Sequence, residues 1–185
     1  MKKENIEFLK NNGVGVIPTD TVYGLACSVF SETALKRLFK LKGREENKPP
    51  VILISDLKEL DLFGAEINGS TKMFLDRFWP GQISIIFNIK SELAFLDKGR
   101  GVAIRLPADK KVLKFLKQTG PLSTSSANPQ GLPPAKNISE AKKYFTDQVD
   151  FYEDGGELDS PPSTLVDLRS GKLEVLRHGA VMIKQ

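Results

Sequence analysis

Apolar residues in this chain never run on for more than four or five positions, and the short runs alternate with stretches of helical spacing. Strand-length runs stand at Val14–Ile17, at VILI (51–54), at QISIIFNI (82–89) and at VAIRL (102–106). Between and around them, residues 2–12, 31–42, 70–78, 109–119 and 139–146 place apolar side chains three and four apart. Further strands are expected near 149–152, 164–168 and 173–177, the last two closing as a hairpin around Ser170-Gly171. Interleaving of this kind builds helices onto a sheet. Because several strand pairs are hairpin-close, the sheet is expected to be mixed rather than purely parallel. The fold class expected is therefore α/β, a twisted mixed β-sheet with packed helices, in one domain spanning 1–185.

Local signals set the element ends. Ser31 is placed to cap a helix over ETALKRLFKLK, which Gly43 stops, and Asp109 caps another that Gly120 closes. In the first helix Ile6, Leu9 and Phe8 are expected to face inward. Ile83, Ile85, Phe87 and Ile89 alternate onto one strand face. Two stretches read as loops: PTDTVYGL (18–25) and LSTSSANPQGLPP (122–134). The first raises a question. A strand that merely turns uses Asn-Gly or Asp-Gly, so Thr19, Asp20 and Thr21 either hold a turn together or hold a ligand.

Composition narrows the classes. With 40% hydrophobic and 27% charged residues the chain reads as globular, and no run is long enough to span a membrane. The start MKKENIEFLKNN lacks the apolar core of a secretory leader, and Cys27 is the only cysteine, which fits a reducing cytoplasm and excludes a disulfide framework. A formal charge of +4 favours anionic partners, nucleotides or RNA, without choosing between them.

The standard phosphate-cradling motifs, G-x-x-x-x-G-K-[ST] and G-x-G-x-x-G, are absent, and His178 is the only histidine. What remains in the candidate segments is cations, hydroxyls and Asn128, groups that bind anions and stabilise developing negative charge. Lys36, Arg37 and Lys40 read as the wet face of their helix, whereas Lys42 and Arg44 straddle Gly43, and Lys48 precedes the stiff Pro49-Pro50. Those three can clamp a polyphosphate. Ser123 through Ser126 lead into Ala127-Asn128, with Gly131 and prolines after, either an ordinary serine-rich loop or one shaped for close approach by a ligand. Arg105, in an apolar strand, either reaches solvent or holds a carboxylate in a cleft. Ser163-Thr164 and Arg177 lie on the arms of the final hairpin.

In this order PTDTVYGL, Lys42-Gly43-Arg44, FWPG (78–81), VAIRLP, SSANPQG, PSTLVD and LRHG resemble the YrdC-like family of threonylcarbamoyl-AMP synthases in its short form, from about residue 14 to 180. The resemblance implies a large basic cleft in the sheet. It also implies a nucleotidyltransferase that joins L-threonine, bicarbonate and ATP into threonylcarbamoyl-adenylate with release of pyrophosphate. That product serves t6A modification of tRNA through separate threonylcarbamoyl transferase proteins. By resemblance Thr21, Arg105, Thr124 and Ser163 bind threonine, with Tyr23 as a wall of that pocket. Arg44 and Lys48 bind ATP phosphates beside Lys42, with Lys42 and Arg44 as the catalytic pair. Ser126, Asn128, Gly101, Pro134 and Arg177 line the nucleotide. Leu53 stands at a threonine-lining position often filled by histidine, where it offers only backbone or packing. Pro129-Gln130-Gly131 replaces the usual x-S-G after SAN, Glu45 and Glu46 follow Arg44, and Arg177-His178-Gly179 replaces Arg-Pro-Gly.

No protein nucleophile is needed if the threonine carbamate itself attacks the α-phosphorus; positioning and cationic stabilisation then supply the acceleration. Mg2+ is expected to accompany ATP, with no carboxylate cage and no prosthetic group. Two rivals stay open: a non-catalytic module for tRNA or double-stranded RNA, and a carbamoyl-transfer domain of the hydrogenase-maturation type.

Overall fold

The computed structural model describes residues 2–43, 50–90, 92–97 and 99–183. Five α-helices are present among them: α1 (Lys3–Lys10), α2 (Glu32–Lys42), α3 (Gly69–Phe78), α4 (Lys110–Thr119) and α5 (Ile138–Phe145). Nine strands form one sheet: β1 (Val14–Ile17), β2 (Gly24–Ser28), β3 (Val51–Leu53), β4 (Ile83–Phe87), β5 (Val102–Arg105), β6 (Leu122–Ser126), β7 (Phe151–Tyr152), β8 (Thr164–Asp167) and β9 (Glu174–Arg177). Their order is β7-β1-β2-β6-β3-β5-β4-β8-β9. The pairs β1–β7, β3–β5 and β4–β8 are parallel and the others antiparallel, so the sheet is mixed.

The capping residues act as the sequence suggests. Ser31 Oγ accepts from the Ala34 amide, and Gly43 closes α2 at φ 59°, a left-handed conformation that costs a glycine little. Asp109 accepts from the amides of Lys111 and Val112 at the start of α4. After Ser55 the chain makes a 3-10 turn over Leu57–Phe63, capped by Asp56.

Two expectations fail on the sheet itself. PTDTVYGL does not continue as loop to its end, because Gly24 opens β2. The serine-rich segment is a strand. LSTSS pairs along its length with β2 on one side and with β3 on the other, so β6 lies near the middle of the sheet. Hydroxyl side chains win a central position here because the neighbouring strands satisfy the backbone and the helices cover only part of the face. Phe8 also departs from expectation: it is 45% exposed on α1, with its ring 6.1 Å from that of Phe151.

Successive residues of the strands feed two separate cores, as the pleat requires. Leu25 and Cys27, Val16 and Ile52 belong to a large cluster with Leu35, Leu38 and Phe39 of α2, Leu75 of α3 and Phe145 of α5. Ala26, Ile17 and Leu53 point the other way and meet Ile6 and Leu9 of α1 and Val112, Phe115 and Leu116 of α4. That second layer is only half a layer. The α1–α4 pair covers Ile17, Ala26, Leu53, Leu122 and Phe151, and leaves the rest of the same sheet face without a helix.

Phe115 is fully buried at the centre of this half-layer. Phe115→Ala is expected to lower the free energy of unfolding by about 3–5 kcal/mol, read as a shift of the urea midpoint at unchanged slope.

Candidate active site

The bare half of the sheet face is the floor of a cavity of about 520 Å³, within the range of small-molecule sites. Gly24 of β2, Val51 of β3, Ala103 and Arg105 of β5, Ile86 of β4, Thr124 and Ser126 of β6 and Leu165 of β8 supply it. These positions share a face with Ala26, Leu53 and Leu122 because they stand two residues along the same strands. Gly24 and Ala103 keep the floor low. Gly101 does the same at the rim: it sits at φ 77°, and a Cβ there would meet Nη1 of Arg169 at 2.6 Å and Ile86 at 2.7 Å.

The PTDT stretch both turns and offers groups to the cavity. Thr19 Oγ1 donates to the Val22 carbonyl at 2.7 Å and accepts from the Thr21 amide at 3.1 Å, which fixes the turn. That turn holds the Thr21 hydroxyl 3.1 Å from Thr19 Oγ1 and within 3.3 Å of Arg105 Nη1, which donates to it. Asp20 lies against the same guanidinium, with Oδ1 3.1 Å from Nη1 and both side chains nearly sealed from water at 4% and 7% exposure. Neither Asp20 oxygen has a hydrogen-bond partner, nor does Arg105 Nε, so the contact is one of charge rather than of aligned hydrogen bonds. Burial raises the Asp20 carboxyl above its usual range in spite of Arg105. Burial likewise lowers the Arg105 guanidinium, with Arg177 adding to the effect and Asp20 opposing it.

Four arginines line the cavity: Arg100, Arg105, Arg169 and Arg177. Two have close carboxylates, Asp20 on Arg105 and Asp167 on Arg169, the latter through Nε at 3.0 Å and Nη2 at 2.7 Å. Arg177 instead donates from Nη2 and Nε to the Ser163 carbonyl, at 2.9 and 3.2 Å. Ser163 Oγ pairs with Ser84 Oγ at 2.8 Å, and Thr124 Oγ1 donates to the Val51 carbonyl at 2.8 Å.

Of the residues that the sequence singles out, Thr21, Arg105, Thr124, Ser163, Gly101, Ser126, Pro134 and Arg177 line this one cavity. Arg44 and Lys48 lie outside the described residues. Four others stand elsewhere. Tyr23 is fully buried and is not a wall of the cavity: its hydroxyl donates to the Gly156 carbonyl at 2.7 Å and accepts from the Gly155 amide at 2.8 Å. Gly24 of β2 faces the cavity, so its neighbours Tyr23 and Leu25 point to the opposite side and join the large core, and the turn held by Thr19 separates Tyr23 from Thr21. Lys42 and Asn128 are also behind the cavity wall rather than in it. The Lys42 ammonium, 4% exposed, donates to the Ser126 carbonyl at 2.6 Å, to the Asn128 carbonyl at 3.0 Å and to Asn128 Oδ1 at 3.1 Å. Asn128 Nδ2 donates onward to the carbonyls of Pro129 and Leu132. Lys42 therefore clamps the end of β6 and its loop. Leu53 packs beneath α4, outside the cavity.

The sequence reading did not assign Ser84, Arg100 or Arg169 to the site, and left open whether Thr19 and Asp20 hold a turn or a ligand. Thr19 and Asp20 lie in the quoted PTDT stretch itself, and Arg100 and Arg169 each stand just outside a strand end, a position at which a side chain reaches over a sheet face.

Comparison with known proteins agrees with this geometry. A family model named Sua5/YciO/YrdC and described as telomere recombination matches residues 7–179. The chain belongs to the Sua5/YciO/YrdC family. Among its relatives, the threonylcarbamoyl-AMP synthase of Thiobacillus denitrificans is 30% identical over 169 residues, covering 90% of this chain and 90% of the relative. The structure of Pyrococcus abyssi Sua5 complexed with L-threonine is similar with a TM-score of 0.86 at 30% identity, over 95% of this chain but only 53% of that one. This chain thus spans about half the length of that Sua5. Escherichia coli YciO shares the fold, with a TM-score of 0.89 at 24% identity, over 98% of this chain and 90% of that one.

Replacing Lys42 by Met removes a buried charge-assisted clamp on Ser126 and Asn128, although the Ser126 carbonyl still accepts from the Asn128 amide. The variant is expected to lose about 1.5–3 kcal/mol of stability with no ligand present, measured by urea unfolding.

Proposed function

We propose that this chain is an L-threonylcarbamoyladenylate synthase, a nucleotidyltransferase forming threonylcarbamoyl-AMP and pyrophosphate from L-threonine, bicarbonate and ATP. The observation that carries the reading is a buried arginine on the floor of a cavity that hydroxyls and further arginines also line, in a fold shared at 30% identity with a protein solved with L-threonine. The name of the relatives supports an enzyme over a non-catalytic RNA-binding module or a carbamoyl-transfer domain.

In this reading Arg105 takes the threonine carboxylate, and the Thr21, Thr124 and Ser163 hydroxyls frame the small side chain and amine. Arg100, Arg169 and Arg177 face the phosphates, joined by Arg44 and Lys48. Ser126, Gly101 and Pro134 approach the nucleotide, while Lys42 and Asn128 hold Ser126 in place. The amine, once carboxylated by bicarbonate or derived CO2, presents a carbamate oxygen that attacks the α-phosphorus, and pyrophosphate leaves. The chain's own residues bind, orient and neutralise; none forms a covalent bond with substrate. Mg2+ enters with ATP as part of the substrate. The described residues include no group of three or more His, Cys, Asp or Glu side chains disposed for a metal, so the donor set fits an ion carried mainly by phosphate and water. The adenylate then passes to transferase proteins acting on tRNA.

Incubation of the purified protein with ATP, bicarbonate and labelled L-threonine is expected to yield the adenylate by mass spectrometry, together with pyrophosphate. Failure to form either with folded protein rejects the reading. Arg105→Ala is expected to weaken threonine binding at least tenfold while changing ATP binding severalfold less, measured by calorimetry; equal losses count against the assigned pocket.

A further inference from the structure

Asp20 is not among the cavity-lining residues, yet it bears directly on one that is. Its carboxylate lies behind the Arg105 guanidinium at 3.1 Å, and its oxygens are shielded from solvent and receive no hydrogen bond of good geometry. The backbone amides of Asp20 and Ala108 also favour its charged form, but the full charge in contact with it is Arg105, so its field acts on Arg105 and on whatever Arg105 holds. On the cavity side the nearest added positive charge is Arg177, close enough to disfavour the charged form of Arg105. This end of the cavity therefore carries Arg105 and Arg177 against Asp20, a net of one positive charge rather than two.

The difference matters for which ligand is preferred. A simple carboxylate or phosphate of similar size gains from every added positive charge. A zwitterion does not, because its ammonium sits only a bond or two from its carboxylate and is repelled by the same surplus. We infer that Asp20 is a specificity-determining residue acting through Arg105: by cancelling one cation from behind and fixing Nη1, it sets the pocket for an α-amino acid over an anion lacking the ammonium. This rests on the threonine reading of the cavity.

The test is calorimetric titration of the wild type, Asp20→Asn, Asp20→Ser and Asp20→Glu with L-threonine and with 3-hydroxybutyrate, which is threonine without its amine. In the wild type 3-hydroxybutyrate is expected to bind at least tenfold more weakly than threonine. In the neutral variants that retain a native circular-dichroism spectrum, the ratio is expected to fall tenfold or more, with 3-hydroxybutyrate binding tighter than to wild type. Asp20→Glu, which keeps the charge, is expected to restore most of the preference. An unchanged ratio in the neutral variants, or equal weakening of both ligands, overturns the inference and leaves the synthase reading standing. If neither neutral variant folds, a purely structural role explains Asp20 better and the inference is likewise overturned. Folded wild-type protein that binds no threonine removes both readings together.

Discussion

One face of the sheet is covered by helix over only part of its extent, and the rest of the molecule is arranged around that omission. A bare sheet face is costly if apolar and unprotected, and this one is neither wholly apolar nor flat. Where α1 and α4 lie, the strands offer Ile17, Ala26, Leu53 and Leu122. Further along β2 and β6 they offer Gly24, Thr124 and Ser126, and neighbouring β5 offers Ala103, small or hydroxylated side chains that leave a hollow instead of a patch. The boundary between core and site is therefore a boundary along each strand, not between elements. A change of register by one residue would exchange the floor of the cavity with the face beneath α2.

Cations buried near this boundary do two different jobs. Lys42 gives its protons to backbone and side-chain oxygens at the end of β6, so its charge is absorbed into holding a loop. Arg105 is paired at charge-contact distance but under-satisfied in hydrogen bonds, with Nε unmatched. The first arrangement fixes geometry, and the second leaves donor capacity for a ligand. Both residues are nearly inaccessible, which shows that burial alone does not separate a structural cation from a binding one. The identity of the acceptors does.

Much of the fold was legible because its signals are local. Ser31 and Gly43 mark α2, Asp109 marks the start of α4, and Ile83, Ile85 and Phe87 mark a strand by alternation. What escaped were β2 and β6, whose strand character comes from their neighbours. GLACS lies between β1 and β6, and LSTSS between β2 and β3, and neither is rich in the β-branched apolar residues that usually announce a central strand. The site was legible to the extent that residue type alone predicts position: Arg105 in an apolar strand, and hydroxyls beside it. It failed at Tyr23 and Lys42, because whether a side chain two residues from a binding group faces ligand or core is settled by the turn between them. No spacing rule resolves that for PTDTVYG, where Thr19 redirects the chain through its own hydrogen bonds to Thr21 and Val22.

Two of the cavity arginines also differ in how firmly they are held, which bears on the order of binding. Arg105 issues from β5, which is paired on both sides, and is enclosed with Asp20; it is in place before any ligand arrives. Arg177 issues from β9, an edge strand that pairs only with β8 and across a register shift, and its anchors are Ser163 oxygens. Those anchors are acceptors that a phosphate can outcompete, since a charged oxygen binds guanidinium more strongly than a carbonyl does. In the proposed reaction a preorganised arginine suits the small amino acid, whose few contacts cannot offset the cost of ordering a side chain, and an adaptable one suits the triphosphate, whose several charges can.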